Sequence, residues 1–113
     1  MAGAPLGLRL MLAEFIGAAY RSSRPVRIVQ SPGDLPPALE HVAVDAEVRK
    51  RAWFAWIDDE QTRFVAGEVT RPIDNGGREM HALRTFFHDD EGRLLASAAW
   101  TRDAEGHWRL WDR

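Results

Sequence analysis

The sequence predicts an α+β fold: an N-terminal helix packed on a curved, mostly antiparallel five- to six-stranded meander sheet. Three observations lead there. One apolar stripe at helical spacing lies near the N-terminus. Two acidic turns that end in glycine, Asp89-Asp-Glu-Gly92 and Asp103-Ala-Glu-Gly106, punctuate the last third of the chain. Between the turns, apolar and polar residues alternate with the period of two that belongs to strands.

The helix is expected over Leu8 to Arg21. Leu8, Leu12, Phe15, Ile16 and Ala19 fall at i, i+4, i+7, i+8 and i+11, one face of a 3.6-residue period. Leu10, Met11 and Tyr20 widen that face. Ser22-Ser23 end the helix, and Pro25 pushes Arg24 into extended geometry. Arg9 and Glu14 interrupt the apolar run and no cation precedes it, so the segment reads as a helix and not as a signal peptide.

A short strand follows over Pro25 to Gln30, then a turn at Ser31-Pro-Gly-Asp. Asp34 is placed to cap a short helix that carries Pro36 and Pro37 in its first turn and runs to about His41. Residues 42 to 48 have two periods at once. Val42, Val44, Ala46 and Val48 alternate, whereas Leu39, Val42 and Ala46 have helical spacing. The favoured reading is a short helix, a crossing, and a strand that begins near Val48.

Arg51 to Ile57 and Thr62 to Arg71 are expected to form a hairpin whose central residues are Asp59 and Glu60. That register sets Trp53 against Ala66, Phe54 against Val65, Trp56 against Arg63 and Arg51 against Glu68. A slip of one residue would spoil every pair. Pro72 to Glu79 reads as a longer connection, with Asn75-Gly76-Gly77 supplying positive φ.

Three strands remain between Met80 and Asp112. A three-residue loop with a glycine bulge pairs Asp89 with Arg93 and Asp103 with His107. One face then collects Met80, Ala82, Arg84, Phe86, Leu94, Ala96, Ala98, Trp100, Trp108 and Leu110. The other collects His81, Leu83, Thr85, Phe87, Leu95, Ser97, Ala99, Thr101, Arg109 and Trp111.

A chain of 113 residues is read as one domain, 1–113, large enough to close a core without covalent staples. With no cysteine it has no disulfide, no thiolate metal site and no thiol nucleophile. The net charge is -2, and the first third is basic while the rest is acidic. That field is too weak for a nucleic-acid footprint, and no apolar run approaches a membrane span. Arginine far outnumbers the single lysine, Lys50, which with abundant alanine suggests a GC-rich bacterial genome and a cytoplasmic protein.

No nucleophile elbow, phosphate-binding glycine loop or dinucleotide fingerprint is present. His41, His81, His88 and His107 lack chelate spacing, and His88 with Asp90 and Glu91 is the least unfavourable metal cluster. No metal, no cofactor and no catalytic residue are therefore expected.

Two functional expectations follow. One helix of fourteen residues spans ~21 Å and cannot roof both faces of such a sheet. Leu83, Phe87, Leu95 and Trp111 would then form an exposed patch, and the chain would be a small non-enzymatic binding or accessory protein. Its partner would be a second copy (a homodimer) or another protein, met through a face rich in tryptophan. The alternative is a binder or enzyme for an anionic or apolar small molecule, with a curved-sheet pocket floored by Ala82, Ala96 and Ala98, anchored by Arg84 and with Trp100 and Trp108 among its ligand-binding residues.

Overall fold

A computed structural model describes residues 6–19, 26–74, 79–103 and 105–111. Its elements are α1 (Leu6–Ala19), β1 (Arg27–Val29), a single 3-10 turn (Pro32–Asp34), α2 (Pro37–Val48), β2 (Ala52–Asp58), β3 (Gln61–Asp74), β4 (Glu79–His88), β5 (Leu94–Arg102) and β6 (Trp108–Leu110). The six strands form one antiparallel sheet in meander order, β1-β2-β3-β4-β5-β6. The predicted α+β meander is the observed fold, with one helix extended beyond what the sequence suggested.

That helix is α2. Residues 42 to 48 are helical, and the strand expected near Val48 begins at Ala52. Leu39, Ala43 and Ala46 recur at i, i+4 and i+7 and are all buried, so the apolar face that meets the sheet outweighs the β-branched alternation of Val42, Val44 and Val48. Val44 and Val48 are left exposed on the outer side. The helix starts at Pro37 with no side-chain cap, and Asp34 lies in the preceding 3-10 turn instead of capping it.

The two helices cover opposite faces of the sheet. Leu8, Leu12 and Phe15 of α1 close on Ala52 and Leu83, flanked by Phe54, Phe87, Trp100 and Trp108. Leu39, Ala43 and Ala46 of α2 close on Val29, Ala55, Phe64 and Ala66, flanked by Trp53, Ile57 and Phe86. Consecutive residues of β2 thus serve different helices, as the alternation of a strand requires. The expectation of an uncovered second face is corrected: α2 supplies the second roof. Leu10, taken to widen the packed stripe of α1, is exposed.

The register of the β2–β3 hairpin is the one expected. Trp53 stands opposite Ala66, Phe54 opposite Val65 and Trp56 opposite Arg63. Asp59 and Glu60 have φ of 47° and 70°, the double positive φ of a two-residue hairpin turn. Just beyond the paired residues, Arg51 Nε donates to Glu68 Oε2 at 2.9 Å and its guanidinium lies 4.2 Å from the Phe86 ring centre.

β3 is longer than expected because Pro72 does not end it. Thr70 pairs with Ala82 and Ile73 with Met80, so β3 holds one more residue there than β4 does. A bulge is where a strand tolerates a residue without an N–H. The Asn75-Gly76-Gly77 turn, the helix end at Ser22-Ser23, the strand entry at Pro25 and the side chains of Ala19, Met80 and His81 lie outside the described residues.

Both glycine turns adopt the expected three-residue form. The Asp89 and Asp103 amides donate to the carbonyls of Arg93 and His107, and Gly92 and Gly106 have φ of 80° and 86°. One bulge then changes the faces downstream. His88 pairs with Leu94 but Phe87 pairs with Ala96, which leaves Leu95 as an extra residue in β5. From there the pairing is shifted by one, so Leu83 faces Trp100, Thr85 faces Ala98 and Arg84 faces Ala99. The two predicted faces of β4 are therefore joined to the wrong faces of β5 and β6.

Candidate functional site

The bulge at Leu95 decides where the predicted site residues lie. Ala98, Trp100 and Trp108 share the α1 face with Leu83, Thr85 and Phe87, whereas Ala82 and Arg84 point to the α2 side of the sheet. The expected pocket around Arg84 is not assembled. Arg84 is exposed and stands across from Glu68, and Ala82 is fully buried beside it. Glu68 is held by Arg51 at 2.9 Å and Glu14 by Arg102 at 2.9 Å.

The tryptophans mostly belong to the two cores. Trp100 and Trp108 pack on Phe15 with ring centres 5.0 Å and 5.6 Å away, the first tilted and the second edge-on. Trp100 Nε1 donates to the Thr85 hydroxyl at 3.0 Å, and that hydroxyl donates to the Ala98 carbonyl at 3.4 Å. Thr85 is the one buried polar residue of the core among the described residues, and this relay satisfies it. Trp53 stacks on Phe64 and donates to Glu47 at 3.3 Å.

The expected interface patch is divided likewise. Leu83 is fully buried under α1 and Phe87 half-buried in the same core, so neither is offered to a partner. Trp111 is half-buried on the other side of the sheet. Only Leu95 is open, at 65% exposure.

Around Leu95 the sequence expectation missed a better surface. Leu94, Leu95, Ala96 and Ser97 are all exposed, and β6 pairs only with Trp100, Thr101 and Arg102. Trp111 donates its N–H to the Ala99 carbonyl at 2.9 Å, which turns the Ala99 backbone toward the outer edge. Alternate residues of a strand aim their N–H and C=O to the same side, so Ser97 also faces outward, where no described strand lies. From Leu94 to Thr101 there is no charge, proline or glycine, the devices that usually blunt an edge. That run was visible in the sequence; how little of it the described residues of β6 pair with was not.

Two smaller polar clusters lie beside the glycine turns. An open cleft of about 240 Å3 is lined by Gln61, Thr62, Arg63, His88, Asp89, Asp90 and Leu95. His88 lies edge-on to Phe64. Desolvation lowers its pKa below the ordinary imidazole value, while the Phe86 carbonyl and Asp89 act in the opposite sense. At the second turn, Asp103, Glu105 and His107 bring ligand atoms within 4.8 Å of one another. Asp103 already accepts from two backbone amides and from Arg109. Glu105 and His107 are exposed and too few for a metal cage. In the first turn Arg93 stands where His107 does and bridges Asp89 and Glu91 at 3.0 and 3.1 Å.

No helix among the described residues is long and apolar enough to cross a membrane. Neither family models, nor curated proteins, nor solved structures give a match to this chain.

Proposed function

We propose that this chain is a small non-enzymatic binding or accessory protein that accepts a strand on the open edge of β5. The supporting observation is the stretch Leu94 to Ser97, exposed throughout and, among the described residues, paired on its β4 side alone. An added strand would gain main-chain hydrogen bonds from the edge and apolar contact from the leucines, the usual division of labour in strand addition. The tryptophan-rich face cannot play this part, because α1 lies on it.

The test is titration of the chain with a synthetic peptide of the sequence Arg93 to Trp100, followed by amide hydrogen exchange. Binding that slows exchange at Ser97 and is lost in Ser97→Pro supports strand addition. Proline removes an N–H that faces outward, so β4–β5 pairing is spared. Absence of binding up to about 1 mM peptide, the weak end of specific recognition, would rule the reading out.

A second reading, a small polar ligand, has the cleft beside His88 in its favour. It replaces the Arg84 pocket, whose walls the bulge separates.

A further inference from the structure

We infer that the cleft beside His88 takes a dipeptide with both ends free, its ammonium on Asp90, its first carbonyl on the main chain of Thr62 and its carboxylate on Arg63. This rests on the small-polar-ligand reading, not on strand addition at β5, and names the class of ligand.

The β2–β3 turn fixes which main-chain groups reach the cleft. Asp58 and Gln61 flank the two residues of positive φ, so these two bond one another across the hairpin. Successive strand residues turn their N–H and C=O to opposite sides, so those of Thr62 and Phe64 face β4. Phe64 meets His88 there. Thr62 has no partner on that side among the described residues, because β4 ends at His88 and the Asp89 amide is turned to the Arg93 carbonyl. One donor and one acceptor of Thr62 are left in the cleft, set to exchange two bonds with a single antiparallel residue. The place before that residue, across from Arg63, is where Asp89 follows β4. Only a residue with nothing ahead of it fits, and that is the amino end of a chain.

The charges agree. Asp89 is engaged in its own turn, accepting from the Glu91 and Arg93 amides and from the Arg93 guanidinium. Asp90 and Arg63 line the same cleft, are exposed, and make no hydrogen bond or ion pair through their side chains among the described residues. A free carboxylate and a free guanidinium in one cleft suit a zwitterion, whereas an anion would be repelled by Asp90 and a cation by Arg63. Gln61 and Arg63 flank Thr62 on one side of β3, so the second ligand residue, running out past Gln61, brings its carboxylate within reach of the long Arg63 side chain. The volume of about 240 Å3 falls below the ~300 Å3 at which sites for larger ligands begin.

The test is titration of the 15N-labelled chain with alanyl-leucine, whose leucine has the exposed Leu95 beside it. Roughly 14 non-hydrogen atoms at the efficiency of drug-sized ligands give a Kd of about 1 mM. The Thr62 and Asp90 amide signals should shift and saturate. The acetylated and the amidated dipeptides should each bind about tenfold more weakly, having lost one charge-assisted contact. Asp90→Asn should erase the preference over the acetylated form, and Arg63→Gln the preference over the amidated one. Both residues are exposed and in neither core, so the fold is retained. A preference that survives its variant overturns the inference. So does a shift at Thr62 with free leucine as large as with alanyl-leucine, which leaves a small polar ligand standing. No shift at Thr62, Arg63 or Asp90 with alanyl-leucine, leucine or inorganic phosphate at about 10 mM, tenfold above that Kd, overturns both.

Discussion

Replacing Thr85 by valine isolates one hydroxyl at the centre of the α1 core. Valine is nearly isosteric and more apolar, so a purely hydrophobic account has Thr85→Val neutral or stabilising. The structure gives the opposite sign. The hydroxyl is the acceptor for Trp100 Nε1 at 3.0 Å, and Thr85 is wholly buried. Without it the indole N–H is stranded, at a cost of about 1–3 kcal/mol. With an unfolding entropy near 2.1 cal/mol/K per residue, a chain of this length loses about 4 °C of Tm per kcal/mol, so the expected fall is about 4–12 °C. Thermal melts followed by circular dichroism measure it. The cycle closes with Trp100→Phe, which keeps a ring against Phe15 but has no N–H. In that background Thr85→Val should cost at least about 1 kcal/mol less, the size expected for two groups in direct contact. Equal losses in both backgrounds, or a Thr85→Val melt within about 1 °C of wild type, would refute the relay.

The two turn glycines should respond unequally to alanine. Both have positive φ, which strains any side chain by about 1 kcal/mol. At Gly92 a Cβ would also come 2.8 Å from the Ala38 carbonyl of α2, whereas at Gly106 it meets nothing within 4 Å. Gly92→Ala should lower Cm in urea clearly more than Gly106→Ala. Leu12→Ala empties a fully buried site under α1 and should cost about 2–5 kcal/mol by the same assay. Acid should act in two stages. The folded state holds the His88 proton less tightly than the unfolded chain, so the unfolded state protonates first and stability falls as pH drops below 6.5. His88→Phe should abolish that stage in a series of melts against pH. Asp89 and Asp103 have lowered pKa values, each held chiefly by a backbone amide, that of Arg93 and of His107. Their contribution is present above 3.8 and should be lost as pH falls further.

The sequence was most informative where local chemistry and long-range packing agreed. The β2–β3 register could be read because the two-residue turn at Asp59-Glu60 and the pairs Trp53 with Ala66 and Phe54 with Val65 demand one alignment. The glycine turns were equally legible, since a positive φ at Gly92 and Gly106 leaves few geometries. Residues 42 to 48 were not, because three valines carry both periods and the choice depends on whether Leu39, Ala43 and Ala46 have a sheet to lie on. Pro72 gave a true local signal with two structural meanings, a loop or a bulge. The candidate site suffered most. Its residues were assigned by counting along β5, and the count fails at Leu95, where nothing in the run Leu-Leu-Ala-Ser-Ala-Ala-Trp marks a surplus residue. The turn sets one register from Asp89, the core sets another from Leu83 and Trp100, and the bulge reconciles the two.

That single residue works as a selector for the C-terminal hairpin. Were Leu95 to pair with Phe87 and not bulge, the Asp89 turn would carry β5 onward in step, rotating Trp100 and Trp108 out from under α1 and delivering Ala99 and Thr101 in their place. Phe15 would lose the rings of Trp100 and Trp108, and two indoles would emerge on the opposite face of the sheet. Deleting Leu95 would do no such thing: Ala96 would follow Leu94 in step, and Trp100 would stay opposite Leu83.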